Sequence, residues 1–181
     1  MALNRDQILD CGFRLLREHG LATLSMRRLA TDLGVAPGAL YWHVPSKQEL
    51  LADLAERIIA PLSPAPADPI EAAIDLRAAL LAVRDGAEVV SFALALRPDG
   101  LRPLRKLYES FGSGLSSDQA RWAGRTLVLY VLGSVAEEQN RSELERAGHL
   151  PRGAEREEQV PDDFRFGIEV IVGGTARRAH A

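Results

Sequence analysis

Cysteine is almost absent from the 181-residue chain, Cys11 being the only one. A single thiol cannot close an internal disulfide and is too few for a zinc site, so the fold must stand on burial alone, which suits a reducing compartment. Cys11 itself reads as a small buried apolar residue on the first helix. Aromatic residues are scarce at 6%, and no convincing strand pattern is present, while Leu and Ala recur at helical spacing. The expectation is an all-α fold. Nor is there an excess of charge of one sign: 22 basic against 25 acidic side chains leave −3. Any nucleic-acid contact therefore has to come from a local patch and not from a bulk field. Long hydrophobic runs are missing as well. The uncharged stretch from Thr126 to Ala136 is far short of the roughly 18 residues a membrane helix needs. Arg5 and Asp6 stand where a signal peptide would need an apolar run, so a cytoplasmic protein with no membrane partner is expected.

Local signals divide the rest into helices. Asn4 is a good N-cap for a helix from about Arg5 to His19, where Gly20 offers a stop. Ser25 can cap a second helix whose Leu29, Ala30 and Leu33 face inward, ended by Gly34, and Pro37 suits the first turn of a brief third helix that ends before Pro45. Ser46 and Glu49 have the spacing of a capping box at the head of a fourth helix through Leu50, Leu51, Leu54 and Ile58. Four prolines from Pro61 to Pro69 then mark a stiff boundary between a small head and a larger body. In the body, the spacing predicts helices at about 69–84, 87–95, 101–113, 118–146 and 162–178, with an exposed loop over 147–161. The Thr126 to Ala136 stretch is uncharged around its whole circumference, which requires burial on several sides. It is expected to have one face in a pocket and another, including Val131 and Leu132, against a second copy in an intermolecular four-helix bundle.

Two short helices joined through Gly34-Val35-Ala36 have the spacing of a helix-turn-helix, a spacing shared with plain helical hairpins. Chemistry after the turn favours the first. Tyr41, Trp42 and His43 stand in succession on a helix too short to bury all three, and Lys47 follows at the next helix N-terminus. Hydroxyl, indole N–H, imidazole and ammonium all suit phosphate contact, helped by helix-end amides. Arg27 can offer a guanine edge two hydrogen bonds. Taken singly, Trp42 reads better as core packing and His43 as an ordinary exposed histidine, and the Arg27-Arg28 pair reads also as a solvated face.

The run TLSMRRLATDLGVAPGALYWHVPSKQELLADLA, Thr23 to Ala55, resembles the DNA-binding head of the tetracycline repressor (TetR) family. Arg84-Asp85-Gly86-Ala87, Arg97-Pro98, Gly133 to Gln139 and Phe164 to Glu169 resemble, in order, segments of the tetracycline repressor's own C-terminal domain. The resemblance implies a transcription repressor, in a family that includes occasional activators. It implies a homodimer whose two heads present recognition helices to successive major grooves of operator DNA, released by a small-molecule inducer held in the body. The division becomes a helix-turn-helix domain at 1–45, a connecting helix at 46–61 and a ligand-binding and dimerisation domain at 62–181. Carried over by position, Arg27, Pro37, Gly38, Ala39, Tyr41, Trp42, His43 and Lys47 are DNA contacts. Gly38 and Ala39 depart from longer or polar groups, which leaves Arg27 as the main base reader.

The tetracycline repressor holds its inducer through magnesium ligated by a body histidine, and the interval from Ala87 to Arg97 contains none. A metal-free site, no cofactor and a largely apolar inducer are expected, since one carboxylate, Glu137, makes a poor divalent site alone. The expected lining is Val89, Val90, Phe92, Tyr108, Phe111 and Tyr130, with Glu137 meeting a polar group of the ligand. An enzyme or a purely structural bundle is the competing class. Its catalytic groups would be Glu137 and Glu138 with His149 or His180, but no nucleophile–base pair, phosphate loop or metal-ligand spacing accompanies them.

Overall fold

The side chain of Asn4 accepts the Gln7 N–H at 2.9 Å, and the Gln7 side chain accepts the Asn4 N–H at 3.0 Å. This reciprocal pair satisfies two backbone donors that a helix start leaves open. In the computed structural model, which describes residues 3–62, 68–97, 101–111, 114–151 and 160–179, all regular structure among the described residues is helical. The helix opened by Asn4, α1, runs Arg5–His19; α2 (Met26–Leu33), α3 (Pro37–Tyr41) and α4 (Lys47–Ile59) complete the N-terminal part. The C-terminal part comprises α5 (Pro69–Leu81), α6 (Gly86–Leu96), α7 (Arg102–Glu109), α8 (Ser117–Arg146) and α9 (Asp162–Ala179).

Some boundaries differ from expectation, and the helix expected over 69–84 ends at Leu81. A 3₁₀ turn at Leu21–Thr23 precedes α2. The helix expected over 101–113 gives way after Glu109 to tighter bonds, Ser110 N–H to the Leu107 carbonyl and Phe111 N–H to that of Tyr108, a three-residue spacing that closes helix ends. Residues 112–113 of that expected helix, Pro98, His180 and most of the expected 147–161 loop lie outside the described residues. No helix among the described residues is long and apolar enough to cross a membrane.

One continuous apolar core runs from Ile8, Leu15 and Leu16 in α1 through Leu50, Leu54 and Ile58 in α4 to Val89, Leu127 and Ile168 in the body. Helix α4 belongs to both parts: it touches α1 on one side and packs most extensively on α6. The spine of the body is α8, 30 residues, or about 45 Å long at helical rise, packed against α5, α6, α7 and α9. Its Leu127, Val128, Val131, Leu132 and Val135 are buried within the chain. Val131 and Leu132 therefore belong to the chain's own core and not to a face open to a second copy, because their three- and four-residue spacing from Leu127, Val128 and Val135 puts them on the inward stripe. The outward apolar residue of the same stretch is Leu129, 51% exposed.

Gln139 of α8 ties the body together. Its amide donates to the carbonyls of Leu80 (3.1 Å) and Val83 (2.9 Å) at the end of α5, and its oxygen accepts the Ala87 N–H (3.2 Å) in the first turn of α6. One side chain thus caps the Ala87 N–H, an open donor in the first turn of α6, and adds a second donor to the Leu80 and Val83 carbonyls, which also accept the Val83 and Gly86 N–H groups. Gln139→Leu leaves the buried Ala87 N–H without an acceptor and removes two further bonds, and is expected to lower unfolding free energy by about 1–3 kcal/mol, read from the urea midpoint. A loss under about 0.5 kcal/mol would mean that water replaces the amide.

Candidate nucleic-acid interface

Helix α2 starts where Ser25 accepts the Arg28 N–H at 3.1 Å. It ends at Gly34, whose φ of 66° and ψ of 32° are left-handed. That conformation favours glycine and lets the chain reverse. The Gly34 N–H then meets the Thr31 carbonyl, the Val35 N–H meets that of Ala30, and Ala36 is extended into Pro37, the first residue of α3. Leu40 and Val44 are fully buried and fix the inward side of α3; the N–H groups of His43 and Val44 both reach the Leu40 carbonyl.

With Leu40 and Val44 inside, the residues between them must point outward. Trp42 is 90% exposed and Tyr41 49%. Pro37 and Gly38 are also exposed, while Ala39 and His43 are half-buried. A Cβ added at Gly38 would meet nothing within 4 Å. An indole left almost wholly in water forfeits the burial that its size normally secures. Core packing is thereby ruled out for Trp42.

The two arginines of α2 part company. Arg28 donates Nε–H to Asp32 Oδ1 at 2.9 Å, and Arg14 of α1 holds the other oxygen at 3.2 Å. These hydrogen-bonded guanidinium groups, Arg28 first, keep the Asp32 carboxyl below its usual range. Arg27 is exposed and has no ion pair among the described residues. Lys47, half-buried, opens α4 beside the cap formed by Ser46 accepting the Glu49 N–H at 3.1 Å. Only this half of the expected capping box is present, because the Glu49 carboxylate is drawn to Arg97.

Two ties anchor this surface to the body. Asp85 accepts the Leu21 N–H at 2.7 Å. Arg97, at the end of α6, meets Glu49 at 2.8 Å, Glu56 at 3.1 Å and Asp53 at 3.4 Å along one side of α4. Neither tie has a local sequence signal, since each joins residues more than forty positions apart.

The body residues expected to line a ligand pocket are dispersed. Val89 and Val90 are fully buried in the core, and Phe111 is 6% exposed. Phe92 and Glu137 are exposed. Tyr130 is engaged with α9: it stacks on Phe164 with ring centroids 5.7 Å apart and its hydroxyl lies 3.3 Å from the carbonyls of Asp163 and Phe164. A Cβ at Gly167 would fall 2.0 Å from that hydroxyl, so Tyr130 occupies space that this glycine leaves in the α8–α9 contact. The acidic side chain that turns inward is Glu138, bound to Arg77 at 2.8 Å, with the Arg77 guanidinium over the Phe164 ring. Of the seven, Tyr108 lines the open cleft between α6, α7 and α8, where it is joined by Arg105, Arg121, Trp122 and Arg125. Sequence reasoning missed these four, since nothing in the spacing links Arg121 and Arg125 on α8 to Arg105 on α7.

Residues 8–54 match the profile of the bacterial regulatory proteins of the tetR family, and residues 67–166 match the tetracyclin repressor-like C-terminal domain. The tetracycline repressor protein class D of Escherichia coli is 32% identical over 184 residues, covering 93% of this chain and 80% of that protein. Among solved structures, BioQ with its double-stranded DNA operator superposes with a TM-score of 0.79 at 33% identity, covering 97% of this chain and 99% of that one. A TetR variant from Acinetobacter baumannii AYE in complex with minocycline also gives 0.79, at 29% identity, covering 99% of this chain and 100% of that one.

The different fates of the two α2 arginines are testable by anisotropy on a fragment of the chain's own promoter and on a scrambled duplex. Arg27→Ala is expected to cost about 1–3 kcal/mol at particular base positions, whereas Arg28→Ala, whose charge is already spent on Asp32, costs little. Lys47→Ala should weaken both duplexes alike and flatten the salt dependence by about one unit. Equal losses on both duplexes for Arg27→Ala would remove its role in base readout.

Proposed function

The chain belongs to the tetracycline repressor family of bacterial regulatory proteins, it is a DNA-binding transcription repressor under small-molecule control, and we propose that it acts as a homodimer joined through α8 and α9. Residues 1–45 form the DNA-binding head, 46–61 the connecting helix, and 62–181 the part that binds the inducer and the second copy. The observation that carries the DNA reading is the near-complete exposure of Trp42 beside Tyr41 on a helix that follows a glycine turn. In this reading the N-terminal end of α3, Pro37 to Ala39, faces the floor of the major groove. Tyr41, Trp42, His43 and Lys47 hold the phosphates on its walls, and Arg27 reads a base edge. A dimer would place two such helices one helical turn of DNA apart, about 34–36 Å.

Support for the dimer comes from apolar side chains that the single chain leaves uncovered on α8 and α9: Leu129 at 51%, Phe166 at 68% and Val170 at 52% exposure. Large apolar groups gathered on two adjacent helices are the usual mark of an interface. The inducer acts in this reading without magnesium. Glu137 is exposed and does not line the open cleft, and the α6 segment has no histidine. By favouring the state in which α4 sets the heads out of register with the grooves, the ligand releases DNA to the extent that it prefers that state.

Phe166→Glu or Val170→Glu is expected to yield monomers with unchanged helix content and greatly reduced operator affinity, measured by light scattering and anisotropy. Dimers persisting in both variants would move the interface elsewhere. The repressor reading itself rests on tight, salt-sensitive binding to the promoter fragment; a chain that binds no such fragment at any salt would refute it. Tetracycline is expected not to release the complex in either the presence or the absence of Mg²⁺, and magnesium-dependent release at micromolar drug would overturn the metal-free assignment.

A further inference from the structure

A cleft of about 1230 Å³ opens between the end of α6, α7 and the first turns of α8. Its charge is one-sided: Arg105, Arg121 and Arg125 line it against a single acidic residue, Glu109. That excess sits on a chain whose net charge is −3. Arg121 shares its charge with Asp118 at 3.0 Å, while Arg105 and Arg125 have no ion pair among the described residues. Ser117, the first residue of the 30-residue α8, also faces the cleft, so the positive end of that helix adds to the same field. Beside these groups lie aromatic surfaces, the half-buried Tyr108 and the 59% exposed Trp122. Burial raises the Tyr108 phenol, and the Arg125 charge partly offsets it.

The floor is a close contact of two helices. A Cβ at Gly124 would lie 2.6 Å from Tyr108 Cδ1 and 2.7 Å from its Cα, so α7 and α8 approach as closely as glycine allows and Tyr108 lies directly against α8. A neutral apolar molecule would leave two guanidinium groups unanswered at its edge. An anion on an apolar body satisfies both halves of the lining, because guanidinium forks pair bidentately with planar oxyanions and stack on rings.

We propose that this cleft binds an amphipathic organic anion, a carboxylate or comparable oxyanion carried on an apolar, ring-bearing body, with Arg105 and Arg125 taking the anion and Tyr108 and Trp122 the body. This revises the largely apolar inducer expected from sequence. It deepens the inducer reading and rests on that reading only for the effect on DNA. Ligand entry would bear on Leu94 and Ala95, within the last turn of α6 before Arg97 and its contacts with α4.

The test uses the full chain without DNA and with Trp42→Phe, which leaves Trp122 as the only tryptophan. Two fluorescent probes of one skeleton are titrated: 8-anilino-1-naphthalenesulfonate, which is anionic, and N-phenyl-1-naphthylamine, which lacks the sulfonate. The expected result is saturable quenching of Trp122 by the anionic probe at one molecule per chain, and tighter binding of it than of the neutral one. Arg105→Gln and Arg125→Gln should each weaken the anionic probe about tenfold or more and change the neutral probe by less than about twofold. No quenching of Trp122, equal affinity for the two probes, or unaltered affinity of the anionic probe in both variants would overturn the proposal. Because the titration contains no DNA, a chain that passes it yet binds no promoter fragment loses the repressor reading and keeps the anion site.

Discussion

The Arg97 guanidinium is the constraint on which the relation between head and body depends. Glu49, Asp53 and Glu56 would otherwise place three carboxylates along one side of α4 with, among the described residues, Arg5 alone, bound to Asp53, to answer them. Each contact is partly exposed, so its share of the net stability is small. The value of the fork is geometric, since a planar group meeting three acceptors fixes both the height and the rotation of α4 against α6. Beneath it the apolar layer is smooth and small-grained, with Ala52, Ala55 and Ile59 on α4 and Val89, Val90 and Ala93 on α6 all fully buried. Such a layer resists separation but only weakly resists sliding.

The second tie stands at the opposite end of the same helix. Asp85 precedes α6 with a φ of 58°, in the left-handed region, a conformation that costs a non-glycine residue about 1–3 kcal/mol. Its carboxylate is spent on the Leu21 N–H, between α1 and α2. Helix α6 is therefore pinned to the head before its first residue and after its last, while Gln139 fastens its first turn to α8. A rigid rod held at both ends transmits a displacement of either end. The cleft walled by Leu94 and Ala95 adjoins the Arg97 end, so geometry alone makes that end the sensitive one.

Local codes were legible in the sequence and remote ones were not. The caps at Asn4, Ser25 and Ser46, the left-handed Gly34 and the first-turn Pro37 all act within four residues, and the helices they define stand where the spacing puts them. Glu49 has capping-box spacing in sequence, yet its carboxylate goes to a guanidinium 48 residues away, a partner no window reveals. The uniform apolar stretch of α8 signalled burial but not register. Val131 faces the chain's own core and Leu129 does not, and only the packing of α5, α6 and α7 decides between them. The engagement of Tyr130 with α9 is hidden for a related reason: its position depends on Gly167, on a different helix. The arginine-lined cleft needs α7 and α8 brought together at Gly124, which composition cannot express.

The same economy of charge shapes the DNA surface. Of the basic groups near the turn, Arg14 and Arg28 are committed to Asp32, and Arg5 to Asp53. Arg27 on α2 and Lys47 on α4 have no ion pair among the described residues, and they stand beside helix ends whose amides supply further donors. At the N-terminal end of α3, Gly38 and Ala39 present almost no side chain, and open space surrounds Gly38. A surface so short in guanidinium and amide groups can draw little specificity from base-edge hydrogen bonds. What it does present is a close-approaching backbone and two exposed aromatic rings, which fit the width and contour of the groove and the line of its phosphates. On the proposed interface, selectivity would then rest on DNA shape, with Arg27 offering the direct contact that sets register.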